Sequence, residues 1–394
     1  MSVNKRHYFD WAASWPLHEA AEEVFRTAPV TGNAGGVHTE GRQSLALIDE
    51  ARENTARLLG VTTRQLVFTG SATEANNVVI QGTVLKYHEE HPGVTPNIIT
   101  TKIEHDSVGK TCELLEKRGL AKVLYLEVQP DGSINEEELK ALLQKEHVAL
   151  VSIMLINNEV GLRLPVEKIG KIIKEKKGEE VWPRFHVDAV QALAYEEAKP
   201  ETLHADIVTY SAHKIGGPKG VGFIAFQSEQ SYLAPLLAGG GQEFGMRPGT
   251  ENVAGIAACS AAFVAIAPHR EKEAKRLRAM KIDLYNKIEK AFEDIQLNGA
   301  PIAKGAPHII NISVESCVAQ ELIALLDRKG CSISAGAACS VRALIPTHVV
   351  AVLHGNDRAK QSIRMSFGPG TTQEDVDALY GALQIAIPTL RGEK

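Results

Sequence analysis

The sequence predicts an α/β fold: a mostly parallel central sheet with helices on both faces, plus a smaller α+β domain. From about residue 60 to 226, short β-branched runs alternate with helical patterns, as βαβ units do. After residue 260 the alternation gives way to one long charged helix, a strand-like HIINISV and further helices. A length of 394 residues also suggests two or three domains.

The strand candidates fall at 65–69, 97–100, 123–128, 149–156, 184–187, 206–210 and 221–226. Helical stretches at 73–86, 107–118, 136–145 and 166–176 lie between several of them, and connections of that kind build a parallel sheet. A helix over 269–295 places Leu277, Met280, Leu284 and Ile288 on one face. A strand at 308–314, a helix at 320–328 and a last helix at 372–390 follow. The expected units are 1–15, an N-terminal segment packing with the small domain; 16–262, the large domain; and 263–394, the small domain. Ligands in open α/β sheets bind at the carboxyl ends of strands, so the residues just after each run matter most.

Composition narrows the class. With 44% hydrophobic and 23% charged residues, the chain is not a disordered tail, a collagen-like repeat or a coiled coil. Its 43 basic and 48 acidic side chains give a net charge of −5, which argues against nucleic acid as a partner. The first residues carry no apolar run of signal-peptide length, and no run of about 18 apolar residues stands out, so a soluble cytoplasmic protein without a membrane partner is expected. Cys112, Cys259, Cys317, Cys331 and Cys339 are scattered without a CxxC, poor material for a disulfide framework or a thiolate metal site.

Three segments could carry chemistry. In LVFTGSATEANNVVI a strand runs through a Gly70-Ser71-Ala72-Thr73 turn into a helix, whose free N–H groups and dipole suit a phosphate. The plainer reading is a capped helix with Thr73 as N-cap and Asn76 and Asn77 facing solvent. In FHVDAVQ, Asp188 ends an apolar strand, where a carboxylate can keep a ring nitrogen protonated or merely cap a helix. In IVTYSAHKIGGPKGVGFIAF, Lys214 follows a strand beside Ser211 and His213 and precedes a glycine-rich turn, a position that suits a Schiff-base lysine. An exposed loop lysine is the alternative for an isolated His-Lys pair.

Together, a phosphate cradle, then Asp188, then Ser-x-His-Lys follow the order of parts in fold-type-I pyridoxal-phosphate enzymes. The chain resembles the NifS-like cysteine desulfurases, with selenocysteine lyases as near relatives. The resemblance rests on GNAGGVHTEGR, TGSATEANN, IEHDSV, NNEVG, HVDAVQ, SAHKIGGPKGVG, GGGQEFGMRPGTEN, SAGAACS and SIRMSFG, in family order from about residue 32 to 368.

The resemblance implies pyridoxal 5′-phosphate as cofactor and a role for each matching residue. Lys214 would hold the cofactor covalently and move the substrate's α-proton, and Asp188 would pair with the ring nitrogen. His105 would stack on the ring and share in proton transfer. Gln191 would bond the ring oxygen, and Asn158 would orient ring and substrate. Ala72, Thr73, Ser211 and His213 would hold the phosphate, with Thr250 reaching the phosphate of a partner subunit, which implies a homodimer. Arg364 would clamp the substrate carboxylate by two parallel hydrogen bonds. Cys339, in a stretch of small residues expected to be exposed, would be the sulfur-accepting nucleophile; Cys331 is expected in the core.

The chain departs from the family where an Asn-Ala-Ala-Thr-Thr-Pro word is common: here it reads Trp11-Ala12-Ala13-Ser14-Trp15-Pro16, so two tryptophans are expected at the substrate entrance. Ser71 also stands where relatives commonly have glycine. The implied reaction converts L-cysteine to L-alanine, with a persulfide on Cys339 passed to an acceptor such as an iron–sulfur scaffold or a tRNA-thiolation protein. A selenocysteine lyase acting on L-selenocysteine stays open, as more remotely does a non-catalytic sulfur-relay scaffold of the same fold.

Overall fold

The computed structural model describes residues 5–28, 31–229, 232–336 and 347–393. Its strands are β1 (His7–Tyr8), β2 (Leu66–Thr69), β3 (Asn97–Thr100), β4 (Lys122–Tyr125), β5 (Val148–Met154), β6 (Arg184–Asp188), β7 (Ile207–Ser211), β8 (Gly222–Phe226), β9 (Ile295–Leu297), β10 (Ile309–Val314), β11 (Cys331–Ser332) and β12 (Ser362–Ser366). Seven of them form the central sheet in the order β2-β8-β7-β6-β5-β3-β4. The interior strands β5, β6, β7 and β8 are buried along their whole length, as expected for a sheet covered on both faces.

Only β8 runs against the rest, pairing antiparallel with both β2 and β7. An interior strand is apolar on both faces whichever way it runs, so its direction is not written in the hydrophobic pattern. The direction nevertheless shapes the site. Gly222, the first residue of β8, stands opposite Thr69 at the end of β2 and Ser211 at the end of β7. The turns after β2 and β7 therefore leave the sheet side by side. Asp188 is level with them, in register with Met154 on one side and Thr209 on the other.

A second sheet, β12-β10-β9, is antiparallel and packs with the helices Arg270–Ala291, Ala319–Arg328 and Gln373–Arg391 as the smaller α+β part. The N-terminal segment belongs to the same neighbourhood: β1 pairs in parallel with β11, and Asp10 bridges Ser366. Phe9 stacks edge-on against Phe367, with ring centroids 5.5 Å apart.

The seven central strands lie where the sequence places them, to within a few residues. The long helix of the second part stops at Ala291, and β9 begins at Ile295, inside the range where the sequence predicts helix. Three helices lack a clear signal. Val253–Ile266 reads VAGIAACSAAFVAI, apolar all round, so it has no 3.6-residue period to detect. Glu19–Thr27 and Thr39–Leu59 start at His18 and His38, whose ring nitrogens accept the capping N–H in place of the usual Ser, Thr, Asp or Asn. The stretch Val253–Ala291 does hold an 18-residue window apolar enough to cross a membrane, by length and composition alone; half of that window is buried in the fold, and the helices Glu19–Thr27 and Thr39–Leu59 pack on its first part.

Candidate active site

The cradle begins at Thr69, where β2 ends. Ser71 caps the helix Ala72–Glu90, its Oγ accepting the N–H of Glu74 at 3.1 Å. The cap is therefore Ser71 and not Thr73. This leaves the N–H groups of Ala72 and Thr73 among those at a helix start that have no partner within the helix. The turn lies hard against β8: a Cβ on Gly222 would stand 2.4 Å from the carbonyl carbon of Ser71. Only glycine fits there. Glu74 steadies the turn, accepting from the Gly70 N–H at 2.7 Å through one oxygen and from Arg247 Nε at 2.7 Å through the other.

Asp188 closes β6 with a buried carboxylate. One oxygen accepts from the Val190 N–H at 3.0 Å, the other from Asn76 Nδ2 at 2.8 Å. Asn76 is thus buried beside the site, not solvent-facing. It lies three residues after Thr73 and so on the same helix face, a spacing that identifies it in the sequence too. His105 caps the helix Asp106–Lys117, Nδ1 accepting from the Ser107 N–H at 3.1 Å and lying 2.8 Å from Ser107 Oγ. Burial lowers the His105 pKa, the Asp188 carboxylate raises it and Lys214 lowers it again, with a net fall.

Lys214 sits on a single 3₁₀ turn after β7. Its Nζ donates to the carbonyls of Ala12 and, at 2.7 Å, Ala13, so the N-terminal segment lies directly over it. Beside it, burial and then the Lys214 charge push His213 down to about 3, so its ring is neutral at physiological pH. Gln191 donates through Nε2 to the Ala12 carbonyl at 2.9 Å, and its Oε1 lies 3.2 Å from His308 Nε2. Arg364, on β12, is 1% exposed. It donates to the Asn158 carbonyl at 2.8 Å and to Asp10 at 2.6 Å, while its Nε has no partner.

These parts converge. Ala72, Thr73, His105, Asn158, Asp188, Gln191, Ser211, His213, Lys214 and Arg364 all line one cavity of about 290 Å³ at the carboxyl ends of the sheet. Ala12, Ala13, Ser71, Asn76, Ser107, Met154, Ile156 and Val190 complete its wall. Thr250 does not line the cavity and is exposed. Cys339 lies outside the described residues. Cys112, Cys259, Cys317 and Cys331 are buried. Burial pushes the Cys112 and Cys259 thiols up to about 12, and raises those of Cys317 and Cys331.

Trp11 and Trp15 do not border the cavity as the sequence suggests; both are buried. Trp11 covers Gly368, where a Cβ would meet its ring at 2.1 Å, and meets Trp15 edge-on at 5.6 Å. Residues 11–13 form a turn, closed by the Ala13 N–H donating to the Asp10 carbonyl at 2.9 Å, which sets Ala12 and Ala13 in the cavity wall while both large rings are buried.

The donor set fits pyridoxal 5′-phosphate. A glycine-permitted turn at a helix start suits its phosphate, a buried carboxylate its ring nitrogen, and the Lys214 amine its aldehyde carbon.

Comparison with known proteins agrees with the geometry. Residues 7–379 match the model of the family described as Aminotransferase class-V. A protein of Dictyoglomus turgidum (strain DSM 6724 / Z-1310) named cysteine desulfurase IscS is 35% identical over 392 residues, 99% of this chain and 96% of the relative. A solved structure titled NifS-like protein superposes with a TM-score of 0.86 at 31% identity, covering 96% of this chain and 98% of that one. A structure titled SspA in complex with cysteine gives a TM-score of 0.78 at 28% identity, covering 93% of this chain and 100% of that one.

Proposed function

Because the chain belongs to the class-V aminotransferase family, we propose that it is a pyridoxal-phosphate-dependent cysteine desulfurase, converting L-cysteine to L-alanine and leaving a persulfide on Cys339. The observation that carries the reading is one cavity that gathers Lys214, Asp188, His105 and Arg364 from four separate parts of the chain.

When bound, the cofactor withdraws electrons from the substrate's Cα, which acidifies the α-proton and opens the β-sulfur to attack. Asp188 would pair with the ring nitrogen and keep it protonated. Lys214 would hold the cofactor and move the α-proton at Nζ. Arg364 would receive the substrate carboxylate with Asn158 beside it; Gln191 would bond the ring oxygen; Ala72, Thr73, Ser211 and His213 would hold the phosphate. The Cys339 thiolate takes the substrate sulfur, so the carbon–sulfur bond breaks as a sulfur–sulfur bond forms. L-Cysteine plus thiol thus becomes L-alanine plus persulfide, with no outside oxidant or reductant.

Thr250 completes the phosphate site of a second subunit in a homodimer. Its exposure and its position off the cavity of its own chain support this assignment. The pairing of β1 with β11 supports grouping residues 1–15 with the small domain, 263–394, against a large domain of 16–262. A cytoplasmic location and a protein sulfur acceptor, such as an iron–sulfur scaffold, accord with the same reading.

The test is product analysis. Purified protein given L-cysteine should release alanine, and mass spectrometry should find one added sulfur on the peptide containing Cys339, removable by reductant. Cys339→Ala should bind cofactor and substrate yet release almost no alanine. Alanine from L-selenocysteine but not from L-cysteine would replace this reading with a selenocysteine lyase. Lys214→Ala should not be fixed to the cofactor by borohydride; labelling that persists would move the covalent link to another lysine.

A further inference from the structure

Behind the cavity, a run of buried polar groups crosses the sheet from β5 to the helix capped by His105. Ser152 Oγ lies 2.8 Å from His186 Nδ1, and His186 Nε2 lies 3.1 Å from Thr209 Oγ1. Thr209 Oγ1 lies 2.6 Å from Asn76 Oδ1. Asn76 Nδ2 lies 2.8 Å from both Asp188 Oδ2 and Ser107 Oγ, and Ser107 Oγ lies 2.8 Å from His105 Nδ1.

The direction of every bond follows from one fixed point. An ionised carboxylate only accepts, so the Asn76 atom facing Asp188 is its amide nitrogen, which also donates to Ser107. Asn76 Oδ1 must then accept the Thr209 hydroxyl proton, and Thr209 Oγ1 is left to accept from His186 Nε2–H. His186 is thereby protonated on Nε2 and accepts from Ser152 through Nδ1. Burial pushes His186 down to about 3, consistent with a neutral ring. At the other end, the Ser107 hydroxyl accepts from Asn76 and donates onward to His105 Nδ1, which also receives the Ser107 backbone N–H.

We propose that Asn76 and Ser107 are positioning residues for His105: they carry a one-directional hydrogen-bond chain to Nδ1 of that ring and fix the proton of the neutral imidazole on Nε2. His105 then offers an N–H, and not a lone pair, at Nε2. The same amide of Asn76 that orients the Asp188 carboxylate also sets the proton of His105, so the two sides of the cofactor site are coupled through one side chain. The charged and titratable groups facing His105 are Asp188, Lys214, Asp106, His348 and His213. The proposal rests on the functional reading only for what His105 acts upon.

The test is site-resolved nitrogen spectroscopy of ¹⁵N-histidine-labelled protein, with and without pyridoxal phosphate, the His105 signals being those lost in His105→Gln. Wild type should show an unprotonated Nδ1 and a protonated Nε2. Ser107→Ala should let the other tautomer appear and raise the His105 midpoint by about half to one pH unit, the effect of losing one hydrogen bond to the neutral form. Asn76→Ala should move it the same way, and Ser107→Thr, which keeps the hydroxyl, should restore it. Asn77→Ala, on the same helix but outside the chain, should leave it unchanged. A proton on Nδ1 in wild type overturns the proposal, as does an unmoved midpoint in both Ser107→Ala and Asn76→Ala. Alanine release from L-cysteine is scored separately: its absence beside the expected nitrogen pattern overturns the desulfurase reading and leaves the positioning role standing.

Discussion

Arg364 Nη2 lies 2.6 Å from Asp10 Oδ1, joining residues 354 positions apart, and the same guanidinium lines the cavity. The group assigned to the substrate carboxylate is already shared with a protein carboxylate. Asp10→Asn keeps the shape and removes the competing charge, so KM for L-cysteine should fall by several-fold, within about tenfold. Arg364→Lys keeps the charge but loses the planar fork, and KM should rise by at least about tenfold. Steady-state kinetics check both, and the cofactor's absorbance should be the same in each variant.

Mixed dimers test the shared site. Lys214→Ala and Thr250→Ala chains are each expected to be nearly inactive. In a heterodimer, both lesions fall in one site if Thr250 serves the partner, and the other site is intact. Activity should return to about half the wild-type value per heterodimer. No recovery after mixing and refolding would place Thr250 within its own subunit's site, and a fully active Thr250→Ala chain would place it outside any site.

Glu104 gives a pH dependence. Burial pushes its carboxyl up to about 8, from an ordinary 4.5, and one of its oxygens has no hydrogen-bond partner. Between those values the folded chain keeps a proton that the unfolded chain has lost, so the fold binds more protons and loses stability as pH rises. Glu104→Gln removes this penalty. In urea unfolding, the variant should gain on wild type between about pH 5 and 8, by at most about 1.4 kcal/mol per pH unit. A constant difference across that range would mean that Glu104 is ionised in the fold.

Arg52 and Glu243 form a buried pair, with Arg52 Nη1 3.0 Å from Glu243 Oε2 and the Phe68 N–H donating to the same oxygen at 2.8 Å. Glu243 and Phe244 both adopt positive φ, 49° and 57°, so this clamp holds a strained turn ahead of Thr250. Arg52→Ala should cost about 3–5 kcal/mol in urea unfolding, because it leaves a buried carboxylate without a partner. Glu243→Gln, which keeps a hydrogen-bonding oxygen, should cost less.

Much of the site is legible in the sequence because each part has a local signal. Lys214 and Asp188 end strands, and the cradle joins a strand to a helix. What is not legible depends on groups brought together from a distance. Asp10 and Arg364 meet only because Asp10 bridges Ser366. Ala12 and Ala13 reach Lys214 across some 200 residues, and nothing local marks two alanines as acceptors for it. The orientation of β8 is likewise hidden, because a strand buried on both faces has the same composition in either direction. The tryptophans mislead for a related reason: bulk near a site says nothing of which side chains a turn presents to it.

The pairing of β1 with β11, and of Asp10 with Ser366, also governs when the site can exist during biosynthesis. The carbonyls that engage Lys214 belong to a segment synthesised well before the strand that anchors it, Ala12 lying 354 positions ahead of Ser366. Until residue 366 has emerged, the early segment lacks the bridge that pins Asp10 and Ala12 beside the lysine. The large sheet can form cotranslationally from neighbouring βαβ units, whereas the site waits on contacts 354 positions apart in sequence. A ribosome-bound chain stalled before β12 should therefore protect the central sheet from protease while leaving residues 5–15 open to cleavage.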